Sequence, residues 1–147
     1  MSSILMVGMG PLLDTGVRNF GAPCLRTWQF AKPMIDAGHT VRLVTLPLRN
    51  PDDPDREKHA LVSKNIDDFK FQALTSDAPD FALPVLTQVA RSFAPDAIVA
   101  VNPRAAWFAA QIPMAKPLWA DLNGCEIANR QGQAARVGDD RLITEAW

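Results

Sequence analysis

The stretch Ser3-Ile4-Leu5-Met6-Val7-Gly8-Met9-Gly10 organises this chain, because a short apolar run leads directly into glycines. A loop follows over residues 11–22, and an amphipathic pattern then runs over residues 23–37. Continuous apolar runs are typical of strands that are covered on both faces, as in a parallel sheet. The succession of strand, glycine turn, loop and helix therefore predicts the first unit of a parallel α/β sheet, whose ligands bind at the carboxyl ends of the strands.

Later segments repeat this alternation. After the first strand we predict strands at 40–46, 69–74, 97–101 and 116–122, and helices at 23–37, 55–64, 80–93, 105–111 and 127–147. The alternation predicts a Rossmann-like, doubly wound parallel α/β sheet in three layers, with the strand order 3-2-1-4-5 and right-handed crossovers. At 147 residues the chain is expected to form a single domain, 1–147.

Large apolar side chains are predicted to lie in the core. The buried face of the helix at 80–93 is predicted from four-residue spacing, which selects Phe81, Val85, Val89 and Phe93. Interior tryptophans are more common than exposed ligand platforms, and we therefore assign to the core Trp28, Trp107 and Trp119.

The composition is that of a globular protein and excludes several classes. Hydrophobic residues make up 48% and charged residues 21% of the chain, which argues against disorder. The formal net charge is -1 and the sequence pI is about 6.1, so we expect no nucleic-acid partner. The first apolar run is too short for a signal peptide or a membrane span and lacks preceding basic residues, so a cytoplasmic location is expected.

The glycines after the first strand do not form a dinucleotide or ATP fingerprint. A dinucleotide loop needs a third glycine where Leu13 stands, and an acidic residue at the end of the second strand, which ends Thr45-Leu46-Pro47. No lysine of a P-loop follows either. We interpret Gly8, Gly10, Arg18 and Arg26 as part of a cradle for a larger polar ligand, with a plain surface loop as the alternative.

Polar residues follow the last two predicted strands, at the same edge of the sheet. They are Asn102 and Arg104 after the fourth strand, and Asp121, Asn123 and Glu126 after the fifth. A carboxylate beside amides and arginines suits general-base work on a hydroxyl, or the binding of a sugar or phosphate. The alternative is that Asp121 and Asn123 cap the final helix, which is common for these residue types.

No metal or cofactor is expected. The acidic run of Asp52, Asp53 and Asp55 lacks the glycine and the distal glutamate of a calcium loop. The cysteines Cys24 and Cys125 lack the spacing of a metal or redox motif, so we interpret them as free thiols.

Several segments, taken in order, match one known family. They are the opening strand with Gly8 and Gly10, residues 26–31, Asp36-Ala37-Gly38-His39-Thr40-Val41, Pro95-Asp96-Ala97-Ile98-Val99, and Lys116-Pro117-Leu118-Trp119-Ala120-Asp121-Leu122-Asn123-Gly124. In their order and spacing the chain resembles the N-terminal domain of GT-B-fold glycosyltransferases. The resemblance covers nearly the whole chain.

That resemblance implies an enzyme that transfers a sugar from a nucleotide-sugar donor to an acceptor. In such enzymes the N-terminal domain mainly binds the acceptor and the C-terminal domain mainly binds the donor, usually without an essential metal. Asp121 would then be the catalytic base or an acceptor contact. The substrate-binding residues would be Gly8, Gly10, Arg18, Asn102, Arg104, Asn123 and Glu126.

The chain departs from that family because its sequence shows no second domain. We expect a fragment, or one subunit of a split transferase, which is inactive alone and meets the donor through a C-terminal domain or a separate subunit. Peripheral association with a membrane is a further option. The alternative function is a non-catalytic Rossmann-like binding or partner subunit, in which Leu142 and Trp147 would dock on another chain.

Overall fold

The computed structural model describes residues 1–12, 21–48, 59–122, 135, 136 and 138. Within these ranges the strands are β1 (Ser3–Gly10), β2 (Thr40–Pro47), β3 (Leu61–Ile66), β4 (Phe69–Leu74), β5 (Ala97–Val101) and β6 (Leu118–Asp121). The helices in the same ranges are α1 (Ala22–Asp36), α2 (Pro79–Phe93) and α3 (Pro103–Ala110). None of these helices has the length and apolar character needed to cross a membrane.

The strands form one mostly parallel sheet in the order β3-β4-β2-β1-β5-β6. β1 pairs in parallel with β2 and β5, β2 with β4, and β5 with β6, whereas β3 and β4 are antiparallel. The predicted α/β class is confirmed. The order differs from the predicted 3-2-1-4-5 because β3, which the sequence reading did not include, is added at one edge.

β3 replaces the end of a predicted helix. The helix predicted over 55–64 is wrong for its described end, where residues 61–64 belong to the strand. Ile66 pairs with Phe69, so only Asp67 and Asp68 connect β3 to β4, and Asp67 has a φ of 48°. Two-residue hairpin turns require positive φ, and aspartate tolerates it better than most residues. The Asp67-Asp68 pair was therefore a hairpin signal that the sequence prediction did not use.

Gly8 lies inside β1 and not in a turn after it, which corrects the predicted glycine turn. Gly8 pairs with Thr45 of β2. A Cβ on Gly8 would lie 2.3 Å from Cγ2 and 2.7 Å from Oγ1 of Thr27 in α1. Thr27 is fully buried; its hydroxyl accepts from Met9 N at 2.8 Å and donates to Pro23 O at 3.0 Å. The glycine therefore allows α1 to approach β1 closely.

Buried side chains form two clusters, and alternate residues of β1 belong to different ones. Leu5 and Val7 lie in the first cluster with residues of α2 and α3. Ile4 and Met6 lie in the second with Ala31 of α1. Because successive side chains of a strand point to opposite faces, β1 is covered on both of them. This coverage explains why the opening stretch is apolar without interruption.

The predicted face of α2 is wrong by about one position. The buried residues of the helix are Ala82, Leu86, Val89 and Ala90. Of the predicted set, only Val89 is buried; the others pack against the cluster while partly exposed. Residues spaced by four drift around a helix with 3.6 residues per turn, so they do not stay on one face. The neighbouring face, which carries the small residues Ala82 and Ala90, packs most closely against the core.

The assignment of the tryptophans to the core is also wrong in part. Trp107 is 51% exposed and Trp119 is 48% exposed. Trp28 is half-buried and contacts the ring of Phe69 at 5.8 Å between centroids. Trp119 is exposed because β6 lies at the edge of the sheet, where β5 is its one neighbour among the described strands.

Candidate functional site

The carboxyl edge of the sheet carries the candidate site. β1, β2, β4, β5 and β6 run in one direction, so their ends lie at the same edge. Asp121 ends β6, Asn102 directly follows β5, and Arg104 lies in the first turn of α3. The predicted positions of these polar residues at strand ends are confirmed.

Arg26 of α1 binds both oxygens of the Asp121 carboxylate. Its Nη2 donates to Oδ1 at 2.9 Å, and its Nε donates to Oδ2. The Asp121 side chain is 10% exposed and that of Arg26 is 39% exposed. Bidentate arginine–carboxylate pairs are among the stronger charged contacts because both hydrogen bonds have a fixed geometry.

This ion pair changes how readily Asp121 takes up a proton. The hydrogen bonds from Arg26 lower the pKa of Asp121 below its ordinary value, and desolvation only partly opposes that effect. The same hydrogen bonds raise the pKa of Arg26. A carboxylate with a lowered pKa is a weak proton acceptor, so the pair favours a binding role for Asp121 over that of a general base.

Asn102 joins β5, β6 and α3 at the same edge. Its backbone N donates to Asp121 O at 2.9 Å, and its side-chain Oδ1 accepts from Arg104 N at 3.0 Å. Asn102 therefore caps α3, and it does so with φ of 95° and ψ of 144°. Few residues other than glycine adopt such angles, so the surrounding contacts must hold this backbone in place.

Arg104 reaches across the edge to the segment before α2. Its Nη2 pairs with Oδ2 of Asp77, a residue that follows β4. The side chains are 32% and 17% exposed, respectively. Nε of Arg104 is buried and has no hydrogen-bond partner among the described residues. Asn102 thus connects Arg104 and Asp121 through hydrogen bonds to their main-chain atoms, and we call these bonds and the two ion pairs the polar network of the carboxyl edge.

The structure does not bring all the predicted site residues together. Gly8 and Gly10 lie within β1, where Gly8 accommodates Thr27 and Gly10 O accepts from Leu48 N at 3.1 Å. These contacts give both glycines a role in packing and pairing. The remaining predicted members lie outside the described residues, and they are Arg18, Asn123 and Glu126.

One residue of the network, Asp77, was absent from the sequence prediction. Asp77 carries a signal that the strand-end rule could have found, because it follows β4 just as Asp121 ends β6. Arg26 was expected to support binding at the glycine loop, but no local signal pairs it with Asp121, which lies 95 residues away in the sequence. Within the described part of the chain, no cluster of three or more His, Cys, Asp or Glu side chains could hold a metal ion.

The network offers both donors and acceptors to a ligand without an excess of charge. Each arginine faces one aspartate, so the groups that the structure describes at this edge compensate one another. Such a surface suits a hydroxyl-rich ligand, which both donates and accepts hydrogen bonds. No protein-family model, curated protein or solved structure matches the chain.

Proposed function

We propose that this chain is the acceptor-side domain of a GT-B glycosyltransferase. The observation that carries the proposal is the bidentate ion pair of Arg26 with Asp121 at the carboxyl edge, where the main chain of Asn102 at the end of β5 pairs with that of Asp121. Ligands of open α/β sheets bind outside the carboxyl ends of the strands. The resemblance in order and spacing of sequence segments supplies the reaction class, since the network by itself specifies only a polar ligand.

The proposed architecture is a Rossmann-like domain in three layers. Supporting it, alternate residues of β1 enter the cluster with α2 and α3 or the cluster with α1. Along the chain, β2 and β4 are added on one side of β1, and β5 and β6 on the other. The strand order therefore changes direction at β1, and a ligand crevice usually lies at such a point in this class of sheet.

In this proposal the donor half comes from another domain or subunit, because the resemblance is to the N-terminal, acceptor-side domain of these enzymes. The oxygen of the acceptor hydroxyl forms a bond to the anomeric carbon of the donor sugar, and the bond from that carbon to the nucleotide breaks. The departing nucleoside diphosphate takes the electron pair of the broken bond, and the hydroxyl proton passes to that diphosphate or to water. Asp121 accepts a hydrogen bond from that hydroxyl or a neighbouring one, and Arg26 fixes the carboxylate. The lowered pKa of Asp121 makes orientation of the acceptor its main contribution.

A nucleotide-release assay tests this proposal. The protein is isolated from its source together with any domain or subunit that accompanies it, and release of nucleoside diphosphate is measured with a set of nucleotide sugars. We expect release with at least one donor, and a loss of about tenfold or more in Asp121→Asn. Asp96→Asn is the matched control, because Asp96 lies at the opposite edge and accepts from Ser3 N at 2.8 Å. The absence of release with every donor contradicts the proposal.

A non-catalytic partner subunit is the second candidate function. The observation that favours it is the β6 edge, where Leu118 is 40% and Leu122 is 60% exposed. Exposed apolar groups on an unpaired edge strand are common at interfaces. Light scattering separates the candidates: this one predicts a defined oligomer or heterocomplex and no donor-dependent catalysis, and a clean monomer counts against it.

A further inference from the structure

Four side chains of α1 and β6 are linked by successive contacts. We call them the α1–β6 group, and they are Phe30, Arg26, Trp119 and Asp121. Phe30 lies 5.2 Å from Trp119 between ring centroids, with 50° between the ring planes. The guanidinium of Arg26 lies over the Phe30 ring at 5.3 Å. Arg26 then binds Asp121, which completes the group.

The geometry of the two elements produces this group. Phe30 and Arg26 are four residues apart on α1 and thus share one face of the helix. Trp119 and Asp121 are two residues apart on β6 and share one face of the strand, roughly 7 Å from one another along it. An aromatic surface and a bidentate ion pair are therefore held side by side.

The group stays accessible to a ligand at two of its members. Trp119 is 48% exposed although Phe30 contacts its ring, and the Arg26 side chain is 39% exposed. The two hydrogen bonds to Asp121 leave other N–H groups of the guanidinium for a ligand. Because Trp119 is 48% exposed, a ligand that packs on it would remove further apolar surface from water.

The combination selects the chemistry of the ligand. A pyranose ring has an apolar face of C–H groups, which stacks on an indole, and a rim of hydroxyls, which both donate and accept hydrogen bonds. The ion pair supplies donors from Arg26 and acceptors from Asp121 beside the stacking surface. Because Asp121 compensates the charge of Arg26, the group favours a neutral sugar over a phosphate.

We propose that the α1–β6 group is a binding subsite for the pyranose ring of a neutral sugar acceptor, with Trp119 as its stacking surface. The subsite rests on the proposed transferase function for its role as an acceptor site. It adds the substrate class, a neutral pyranoside, and the residue that recognises it, Trp119.

Nuclear magnetic resonance titration of the full chain tests the subsite. The probes are methyl glucopyranoside, methyl galactopyranoside and methyl mannopyranoside, with inorganic phosphate as the anion control. We expect the indole N–H resonance of Trp119, identified from its absence in Trp119→Phe, to shift in a saturable way with at least one pyranoside. Trp107 is the internal control, since it is 51% exposed on α3. Its resonance should stay unchanged, and phosphate should shift neither resonance.

Substitutions complete the test. Trp119→Ala should weaken binding of the responding pyranoside by about tenfold or more, and Trp107→Ala should leave it unchanged within about twofold. Retention of binding in Trp119→Ala, or a Trp119 resonance that no pyranoside moves in the unaltered protein, overturns the subsite. The second reading is taken on the unaltered protein, and Trp119→Phe serves only to assign the resonance, so misfolding of Trp119→Ala does not decide the matter.

The nucleotide-release assay separates this subsite from the transferase proposal. If the complete protein transfers sugar and Trp119→Ala leaves the acceptor KM unchanged, the subsite is wrong and the transferase proposal stands. If pyranosides bind at Trp119 and no donor supports release, the transferase proposal is wrong, and with it the acceptor role of the subsite.

Discussion

Arg26 in the second turn of α1 and Asp121 at the last position of β6 form a bidentate ion pair across the carboxyl edge of the sheet. The pair ties the first helix of the chain to the last described strand. Among the described strands β6 lies at the edge and pairs with β5, so this contact fixes the end of β6 relative to α1. One interaction therefore shapes both the fold and the candidate site.

Removal of Arg26 should destabilise the protein. Arg26→Ala leaves the Asp121 carboxylate, which is 10% exposed, without the two hydrogen bonds from Arg26, and we expect a lower free energy of unfolding. Arg26→Lys keeps the charge but not the paired geometry, so its loss should be intermediate. Urea denaturation measures both values. An Arg26→Ala protein as stable as the unaltered one contradicts the structural role of the pair.

The contribution of Asp121 to stability should depend on pH. Its folded pKa is lowered by Arg26, so the stabilisation is complete above the unfolded pKa of about 3.9 and is lost as pH falls through the folded pKa. The difference in unfolding free energy between the unaltered protein and Asp121→Asn should thus be largest near neutral pH and shrink below about pH 4.

Urea denaturation over a series of pH values checks this dependence. In an Arg26→Ala background, the effect of Asp121→Asn on the free energy of unfolding should depend much less on pH, because the cause of the lowered pKa of Asp121 is gone. A difference that grows as the pH falls would have the wrong sign for a lowered pKa.

Gly8 should be intolerant of a side chain. Gly8→Ala places a methyl group 2.3 Å from Cγ2 of Thr27, so α1 must move, and we expect a loss of about 1–3 kcal/mol. Gly21→Ala is the matched control, since its Cβ would meet Leu48 and Pro23 only at 3.3 Å. Thermal denaturation compares them. Thr27→Ser removes Cγ2 and should recover part of the loss; an equal cost at both glycines would contradict the packing role.

The hydroxyl of Thr27 should matter more than its methyl group. Thr27→Val keeps the shape but removes the acceptor for Met9 N, which is buried in β1, and we expect a loss of about 1–3 kcal/mol. Thr27→Ser keeps the hydroxyl and should cost less. Hydrogen exchange at the Met9 amide reports the contact directly, and protection that survives in Thr27→Val would show that this hydrogen bond is unimportant.

Sequence reasoning reaches the elements whose signals are local. β5 lies at residues 97–101, as predicted. The prediction was possible because a short apolar run between a proline–aspartate pair and Asn102 has few other interpretations. Asp121 was likewise predicted at a strand end because it directly follows a short apolar run at residues 118–120. β3 was missed because its polar middle, Ser63 to Asn65, belongs to an exposed edge strand and gives no apolar alternation.

The candidate site depends on contacts that no local pattern contains. Asp121 was predicted as a base or acceptor contact, but its partner Arg26 is set by how α1 lies against β6. Trp119 was assigned to the core because tryptophan usually lies there, and its exposure follows from the edge position of β6. Strand order determines both facts, and it is a property of the whole sheet.

The acceptor dependence of sugar transfer by the complete protein tests the central claim most directly. With a responding donor and acceptor, Arg26→Ala should raise the acceptor KM by about tenfold while the donor KM stays unchanged, because our proposal assigns Arg26 and Asp121 to the acceptor side. Asp96→Asn, at the opposite edge, should leave both constants unchanged. A rise in the donor KM with no change in the acceptor KM would contradict the account.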